Sequence, residues 1–316
     1  MRLPRVHRLP VDARADARGR ARRVPDAVCV HEVDDGILWK HTNARTGSTV
    51  VARARNLVLQ TIITVSNYEY IFAFVLAGAG RGADVRGAGD GDRVGGDERV
   101  GGWKNSVLVV RAPILYGNPP PAPLADDEPH GNAFATTSSF VPTESAHRLS
   151  HTANRTSTIV NESHLHARTR TPVGYRLLPH YSQLLLAHPT SHRAPRAEYA
   201  SHAVWVTQHR DDELFPAGRW TMQSTGGEGI RSWVAGRAGE GAEVNGVRGE
   251  DIVVWHTFGS THHPRAEDWP VMPVEKMVVG LKPVKFFERN PALDVAVARM
   301  GEGKSVLVRD GNGGER

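Results

Sequence analysis

The first stretch whose residue types suggest chemistry centres on Tyr68. It is preceded by the β-branched run 61–65, which favours a pleated, buried strand. The polar triplet Asn67, Tyr68 and Glu69 then interrupts an apolar context that resumes at Ile71. A buried polar group costs free energy unless it finds a partner, so the triplet either ends the strand or faces a site. The alternative for Tyr68 alone is an ordinary strand tyrosine whose hydroxyl is hydrogen-bonded.

Histidine is the other residue type that could do chemistry, with 16 copies in the chain. His164 and His166 form a His-x-His pair, and on a strand such a pair points both imidazoles to one side. That arrangement can give a metal two nitrogen ligands, but this pair lies in a polar stretch, where surface histidines are common. His262 follows a predicted buried strand and stands close to a proline, which makes it the better-placed candidate. Taken alone, a histidine at such a position is more often structural than a ligand.

Three other features indicate no catalytic site. The Gly-x-Gly pairs within residues 78–102 lack the strand–turn–helix frame of a nucleotide-binding loop. Residues 211–213, Asp-Asp-Glu, are typical of a solvated acidic turn. Cys29 is the single cysteine, which excludes internal disulfides and a multi-cysteine zinc site, and we interpret it as a small buried hydrophobe.

Composition and patterning predict how these residues are held. The 316 residues, 40% of them hydrophobic, suffice for a sizeable core, and the 32 Gly and 20 Pro suit turns between strands. Short β-type runs without an internal repeat predict an all-β, antiparallel fold with long loops. We predict a disordered Arg-rich tail at 1–23, a folded domain at 24–298 and a flexible tail at 299–316. A Gly/Asp/Arg-rich segment at 78–105 interrupts the domain.

Charge and hydropathy indicate which partners to exclude. The net charge is +5, and the excess lies largely in the first two dozen residues. No basic stripe interleaved with aromatic residues follows, so nucleic-acid binding is not predicted. The sequence shows no apolar run long enough to span a bilayer and no apolar signal-peptide core at its N-terminus. We therefore predict no membrane partner and a cytoplasmic location.

Several segments, in their order along the chain, resemble the catalytic domain of the copper-containing amine oxidases, the topaquinone enzymes. Residues 64–69, Thr-Val-Ser-Asn-Tyr-Glu, match that family's Thr-x-x-Asn-Tyr-Asp/Glu cofactor motif. The resemblance covers residues 24–77 and 106–298. It implies an amine-oxidase-like catalytic domain at 24–298, with the fold of a large antiparallel β-sandwich that is incomplete. Further matching segments follow the family's order, namely residues 28–41, 130–134, 202–207, 251–273 and 286–291.

This resemblance implies roles for individual residues. Tyr68 would be converted by copper and oxygen to topaquinone, a quinone whose electrophilic carbonyl no ordinary side chain has. Asn67 would hold the ring in position by hydrogen bonding. His262 matches the third copper-binding histidine, and imidazole suits copper. Met272 falls close behind the metal, and Asp251 matches part of a peripheral cation site, which implies calcium there.

The resemblance also implies the reaction and the partners. A primary amine forms a Schiff base with the quinone, a carboxylate base removes the α-proton, and an aldehyde leaves. Dioxygen regenerates the quinone, with release of hydrogen peroxide and ammonia. The expected partners are therefore a primary amine, dioxygen and, in a homodimer, a second copy of the chain.

The chain departs from the family pattern at three places. The His-x-His motif of the first two copper ligands is expected some tens of residues after the cofactor tyrosine, yet residues 78–105 contain no histidine. The acidic partners of Asp251 are missing with that motif. The carboxylate base belongs to a family segment that should lie upstream of residue 24. His164 and His166 match a different part of the family and are not expected to substitute.

Two hypotheses follow from these matches and departures. The first is a primary-amine oxidase catalytic domain with impaired activity. The second is a catalytically inactive β-sandwich fragment with a structural or dimerisation role.

Overall fold

The protein is built mainly from β-strands. The structure, a computed structural model, describes residues 7–15, 21–77, 82–86, 105–111, 137–150, 155–185, 187–220, 225–260 and 263–299. The strands within these ranges are β1 (His7–Ala15), β2 (Ala21–Thr42), β3 (Thr49–Val65), β4 (Tyr68–Ala77), β5 (Gly82–Arg86), β6 (Asn105–Arg111), β7 (Thr137–Phe140), β8 (Ser145–His147), β9 (Arg155–Leu165), β10 (Pro172–Leu178), β11 (Val204–Gln208), β12 (Ile252–His256), β13 (Val279–Val284) and β14 (Val297–Arg299). The helical elements are α1 (Ile230–Gly236), α2 (Ala242–Asn245) and the 3-10 helices Pro195–Ser201, Ala266–Asp268 and Pro291–Asp294.

The chain divides into two compact units. The first consists of the described residues within Met1–Thr61, Val75–Arg81 and Arg289–Arg316, and the second of those within Ile62–Phe74 and Gly82–Glu288.

In the first unit, β2 pairs antiparallel with both β1 and β3, and β14 adds to β3. Side chains of β3 alternate between the two faces of the sheet, as strand geometry requires. Arg53 and Arg55 face outward and form ion pairs with Asp34 and Glu32 of β2. The residues that alternate with these arginines along the strand are buried, namely Ala52, Ala54, Asn56 and Val58.

The second unit contains two antiparallel sheets that pack face to face. One has the strand order β5-β13-β10-β9-β6-β7, and the other has the order β12-β11-β8. Leu177 of β10 and Leu281 of β13 pack against Ala203 and Val204, at the start of β11. Both sheets contribute to one apolar core, which confirms the predicted all-β, antiparallel sandwich.

Two segments predicted to lie outside regular structure contain strands. Residues 7–15 form β1, and residues 82–86 form β5, which pairs with β13. A strand needs the backbone donors and acceptors of a neighbouring strand, whatever its own side-chain composition, so the polar, Gly- and Arg-rich sequence did not reveal these pairings. The remainder of the predicted tails and of 78–105 lies outside the described residues or, like residues 21–23, joins a strand. The predicted domain boundaries stay predictions.

Among the residues that the structure describes, no helix is long and apolar enough to cross a membrane.

Candidate functional site

The Tyr68 motif forms the tip of a β-hairpin. β3 ends at Val65, β4 begins at Tyr68, and the turn between them consists of Ser66 and Asn67. Ser66 has a φ of 57°, and a positive φ at the first loop residue is typical of the two-residue turns that close hairpins. The polar triplet therefore does end a strand, with Asn67 in the turn and Tyr68 first in the returning strand.

The hairpin tip lies at the protein surface. Tyr68 is 50% exposed and Tyr70 is 48% exposed. Their rings share a face of the strand, with centroids 6.4 Å apart. Ile62 and Val65 are also exposed, so the run 61–65 is a strand as predicted, but the prediction that it is buried is wrong. Solvent and small molecules can therefore reach the Tyr68 side chain.

The outer residues of the motif contact each other across the turn. The Thr64 hydroxyl donates to the Glu69 carboxylate, with Oγ1 lying 3.0 Å from Oε1 and 2.9 Å from Oε2. In a hairpin with a two-residue turn, these two positions face each other one step before and after the turn. With the spacing Thr-x-x-Asn-Tyr-Glu, the threonine at the end of β3 can therefore hydrogen-bond to the glutamate that follows Tyr68 in β4.

The other predicted site residues lie around β12. Asp251 directly precedes β12, is exposed, and accepts a hydrogen bond at its backbone carbonyl from the His209 N–H at 2.8 Å. Met272 is half-buried in the coil that joins β12 to β13. His262 lies outside the described residues.

The predicted ligand pair His164 and His166 occupies the end of β9 and the turn after it. The Nδ1 atom of His166 accepts a hydrogen bond from the Thr169 N–H at 3.1 Å, so this ring serves the local turn. His164 is exposed on the strand. Across the described ranges, no group of three or more His, Cys, Asp or Glu side chains could hold a metal ion. These residues therefore do not by themselves fit a copper site.

His256, the last residue of β12, is held by backbone groups on both sides. Its Nδ1 lies 2.8 Å from the Ala203 carbonyl oxygen, and its Nε2 accepts from the His180 N–H at 3.0 Å. A ring that donates from one nitrogen and accepts at the other is a neutral imidazole. Burial lowers the pKa of His256, and the neighbouring His180 ring lowers it further, which favours the same neutral form.

Sequence reasoning missed a buried ion-pair cluster beside β11. The Glu144 side chain is 1% exposed and accepts from Arg210 at 2.6 Å and from Arg237 at 2.7 Å. Glu213 accepts from Arg237 at 2.6 Å and its side chain is 12% exposed. The interpretation of residues 211–213 as a wholly solvated turn is therefore wrong for Glu213. These partners are far apart in sequence, so local patterning carried no signal of the cluster.

Comparison with known proteins decides the family. The family model of the copper amine oxidase enzyme domain matches residues 10–86 and 96–301. The chain belongs to the copper amine oxidase family. Copper amine oxidase 1 of Aspergillus niger is 38% identical, with 88% of this chain and 44% of that protein covered. Histamine oxidase of Arthrobacter globiformis is 33% identical, with 91% of this chain and 44% of that protein covered.

Solved structures of copper amine oxidases share the fold of this family member. A copper-containing benzylamine oxidase from Hansenula polymorpha superimposes with a TM-score of 0.75 at 32% identity, covering 93% of this chain and 49% of that chain. Aspergillus nidulans amine oxidase is similar in fold, with a TM-score of 0.66 at 18% identity. This copper amine oxidase chain thus spans less than half the length of the relatives it matches. The resemblance stated from the Tyr68 motif is confirmed, and the family implies copper and topaquinone as cofactors.

Proposed function

We propose that this chain acts in the oxidation of primary amines to aldehydes, with release of ammonia and hydrogen peroxide. In this reaction the amine loses two electrons, water supplies the aldehyde oxygen, and dioxygen accepts the electrons. Family membership supports the reaction class, and the presentation of Tyr68 at an exposed hairpin tip carries the proposal for this chain.

Tyr68 is the proposed precursor of topaquinone. Its position as the first residue of β4 leaves half of the side chain open, which suits a ring that must meet dioxygen and then an amine. The Thr64–Glu69 hydrogen bond joins the two strands on either side of the turn and so stabilises it. Asn67, the turn residue that precedes Tyr68, is proposed to orient the ring.

His262 is the proposed copper ligand, with Met272 behind the metal and Asp251 at a peripheral calcium site. These assignments depend on the sequence match, because the described residues do not gather a set of copper ligands. When bound, copper with dioxygen would supply the oxidation that converts a tyrosine to a quinone.

Quinone formation tests the proposal directly. Copper-free protein is exposed to Cu²⁺ under air, and the expected result is a visible quinone band together with a redox-cycling stain that survives denaturation. Mass spectrometry should place the oxygen gain on the peptide that contains Tyr68. Tyr68→Phe should lose the band, whereas Tyr70→Phe, a matched change 6.4 Å away on an equally exposed ring, should keep it.

Failure of that experiment has a defined meaning. A folded protein that forms no quinone, or a Tyr68→Phe variant that stains like the parent chain, would overturn the oxidase proposal and favour an inactive β-sandwich fragment. Homodimer formation is part of the proposal, and light scattering of the purified chain tests it. The cytoplasmic location and the exclusion of nucleic-acid and membrane partners stay predictions.

A further inference from the structure

Both ends of the coil between β12 and β13 contact the same short segment of chain, residues 180–182. The described part of this β12–β13 coil comprises residues 257–260 and 263–278. Among its described residues, the short 3-10 helix Ala266–Asp268 is the only regular element. Such a coil keeps one conformation only if contacts elsewhere fix it, because its backbone entropy opposes ordering.

Residues His180 and Ser182, which follow β10, supply those contacts. Directly before the coil, the His180 N–H donates to His256, the last residue of β12, at 3.0 Å. At the start of the coil, the Gly259 N–H donates to Ser182 Oγ at 3.0 Å. At its end, the Val278 N–H donates to His180 Nδ1 at 3.4 Å. Two residues of one segment therefore bind both ends of the coil.

His180 joins the two ends through a single residue. Its ring packs edge-on against Phe258 at the start of the coil, with centroids 5.9 Å apart, and its Nδ1 accepts from the Val278 N–H at the end of the coil. Its backbone N–H binds the last residue of β12. Ser182 Oγ adds a second, independent contact one residue beyond Phe258. A half-buried amide N–H that lacks an acceptor destabilises the folded state. Each of these contacts therefore stabilises the observed position of the coil ends.

The two ends of the coil also contact the rest of the sandwich and each other. The Thr257 N–H donates to the Ala203 carbonyl at 2.8 Å, which continues the β11–β12 pairing beyond the strand. The Ser260 hydroxyl, near the start of the coil, donates to the Glu275 carboxylate, near its end. The ends are thus fixed while Trp269 and Val271, in the middle, are 83% and 80% exposed.

We infer that His180 and Ser182 are positioning residues that clamp both ends of the β12–β13 coil and so set the position of the residues it carries. Met272 belongs to this coil, so the consequence for catalysis rests on the proposed function. The clamp itself consists of described contacts and does not depend on a metal.

Amide hydrogen exchange on the full chain, without added metal, tests the clamp. His180→Leu removes the ring acceptor, and we expect exchange at the Val278 amide to rise about threefold to tenfold. His180→Asn offers an amide oxygen near the position of Nδ1 and should restore exchange to within about twofold of the parent. Ser182→Ala should accelerate exchange at Gly259, and Ser182→Thr should not.

His188→Leu is the matched control. His188 follows in the same segment, is exposed, and its Nδ1 contacts the neighbouring Thr190 at 2.8 Å. It should leave exchange in the coil unchanged. Unchanged exchange in both His180→Leu and Ser182→Ala would overturn the clamp, as would equal acceleration in His188→Leu.

A second measurement separates the clamp from the proposed function. The rate of quinone formation after addition of Cu²⁺ is compared among the parent chain, His180→Leu and His180→Asn. Slower formation in His180→Leu with recovery in His180→Asn supports the positioning role, and equal rates in all three overturn it. If the exchange results hold and the parent chain forms no quinone, the clamp stands as a structural contact, and the proposed function fails together with the positioning role.

Discussion

The hairpin tip that carries Tyr68 and the small sheet β12-β11-β8 stand in contrast within the second unit. Tyr68 is 50% exposed, and the Thr64 and Glu69 side chains contact each other across its turn. In the sheet, Val206 is fully buried and Trp205 is 2% exposed. A side chain that is proposed to meet dioxygen and an amine has to be reachable, so it contributes little buried area to stability. The sheet supplies stability and can hold other segments in place.

The contrast extends to charge. At the sheet, Glu144 lies out of solvent between Arg210 and Arg237, where each member of the cluster depends on the others. At the hairpin, Thr64 and Glu69 are both exposed, so water can replace either partner. Substitutions in the two regions should therefore differ in size and in what they affect.

The largest effect is expected at the buried cluster. Glu144→Ala should reduce the free energy of unfolding by about 3–5 kcal/mol, because two partly buried arginines lose a shared carboxylate. Urea unfolding followed by tryptophan fluorescence measures it, since Trp205 and Trp255 lie in this sheet. Glu162→Ala, which breaks a more exposed pair with Arg248, is the control and should cost about 1 kcal/mol or less. Equal losses of unfolding free energy in Glu144→Ala and Glu162→Ala would contradict the expected difference between buried and exposed ion pairs.

A smaller effect is expected at His256. His256→Phe keeps a ring in place but deprives the His180 N–H of its acceptor, and should cost about 1–3 kcal/mol near neutral pH. The same urea titration measures this loss. His188→Phe, at an exposed ring with a local partner, should change stability little, and a comparable loss there would contradict the role of burial.

Stability should also depend on pH through His256. Burial lowers its pKa in the folded state below the ordinary value of 6.5, so the unfolded chain takes up the proton first as pH falls. The contribution of neutral His256 to the free energy of unfolding is complete above pH 6.5. It is lost progressively as pH falls from 6.5 towards the lowered pKa. Urea titrations across this window should show a shallower pH dependence for His256→Phe than for the parent. The pKa of His202 is lowered too, first by burial and then by Arg148 and Arg231, so some slope should remain.

At the hairpin, Thr64→Val should lower stability by about 1 kcal/mol or less, because the lost hydrogen bond is exposed. Amide exchange in residues 62–71 should nevertheless accelerate, since the turn loses the bond that spans it. Thr64→Ser keeps the hydroxyl and should exchange like the parent. If Thr64→Val reduced the free energy of unfolding as much as Glu144→Ala, the hairpin tip would stabilise the fold as strongly as the buried cluster, which contradicts the contrast between the two regions.

The smallest change in stability is expected for Tyr68→Phe. Removing one hydroxyl at a half-exposed position should alter the free energy of unfolding by less than about 1 kcal/mol. The same variant should abolish quinone formation. Urea unfolding beside the aerobic copper assay measures both, and a large loss of stability would contradict the separation of chemistry from folding.

Some of the site could be predicted because its information is local. The polar triplet 67–69 marks the end of a predicted strand, where the structure has a two-residue turn, and the predicted strand at 251–256 corresponds to β12. Burial of residues 61–65 was predicted wrongly, since a strand's own residues do not state what covers them. β5 was missed because its pairing with β13 depends on a backbone almost two hundred residues further along the chain.

The sequence by itself determined the all-β class, the family and the place of Tyr68 beside a turn, because periodicity and motif spacing are properties of neighbouring residues. The tertiary structure decided that Glu144 meets Arg237, 93 residues away, and that His180 meets Val278, 98 residues away. Such contacts form when separate strands pack together, and the side chains that meet are set by sheet register and not by local pattern. Tyr68 was therefore recognisable from the chain alone, whereas the clamp on the β12–β13 coil required the folded sheets.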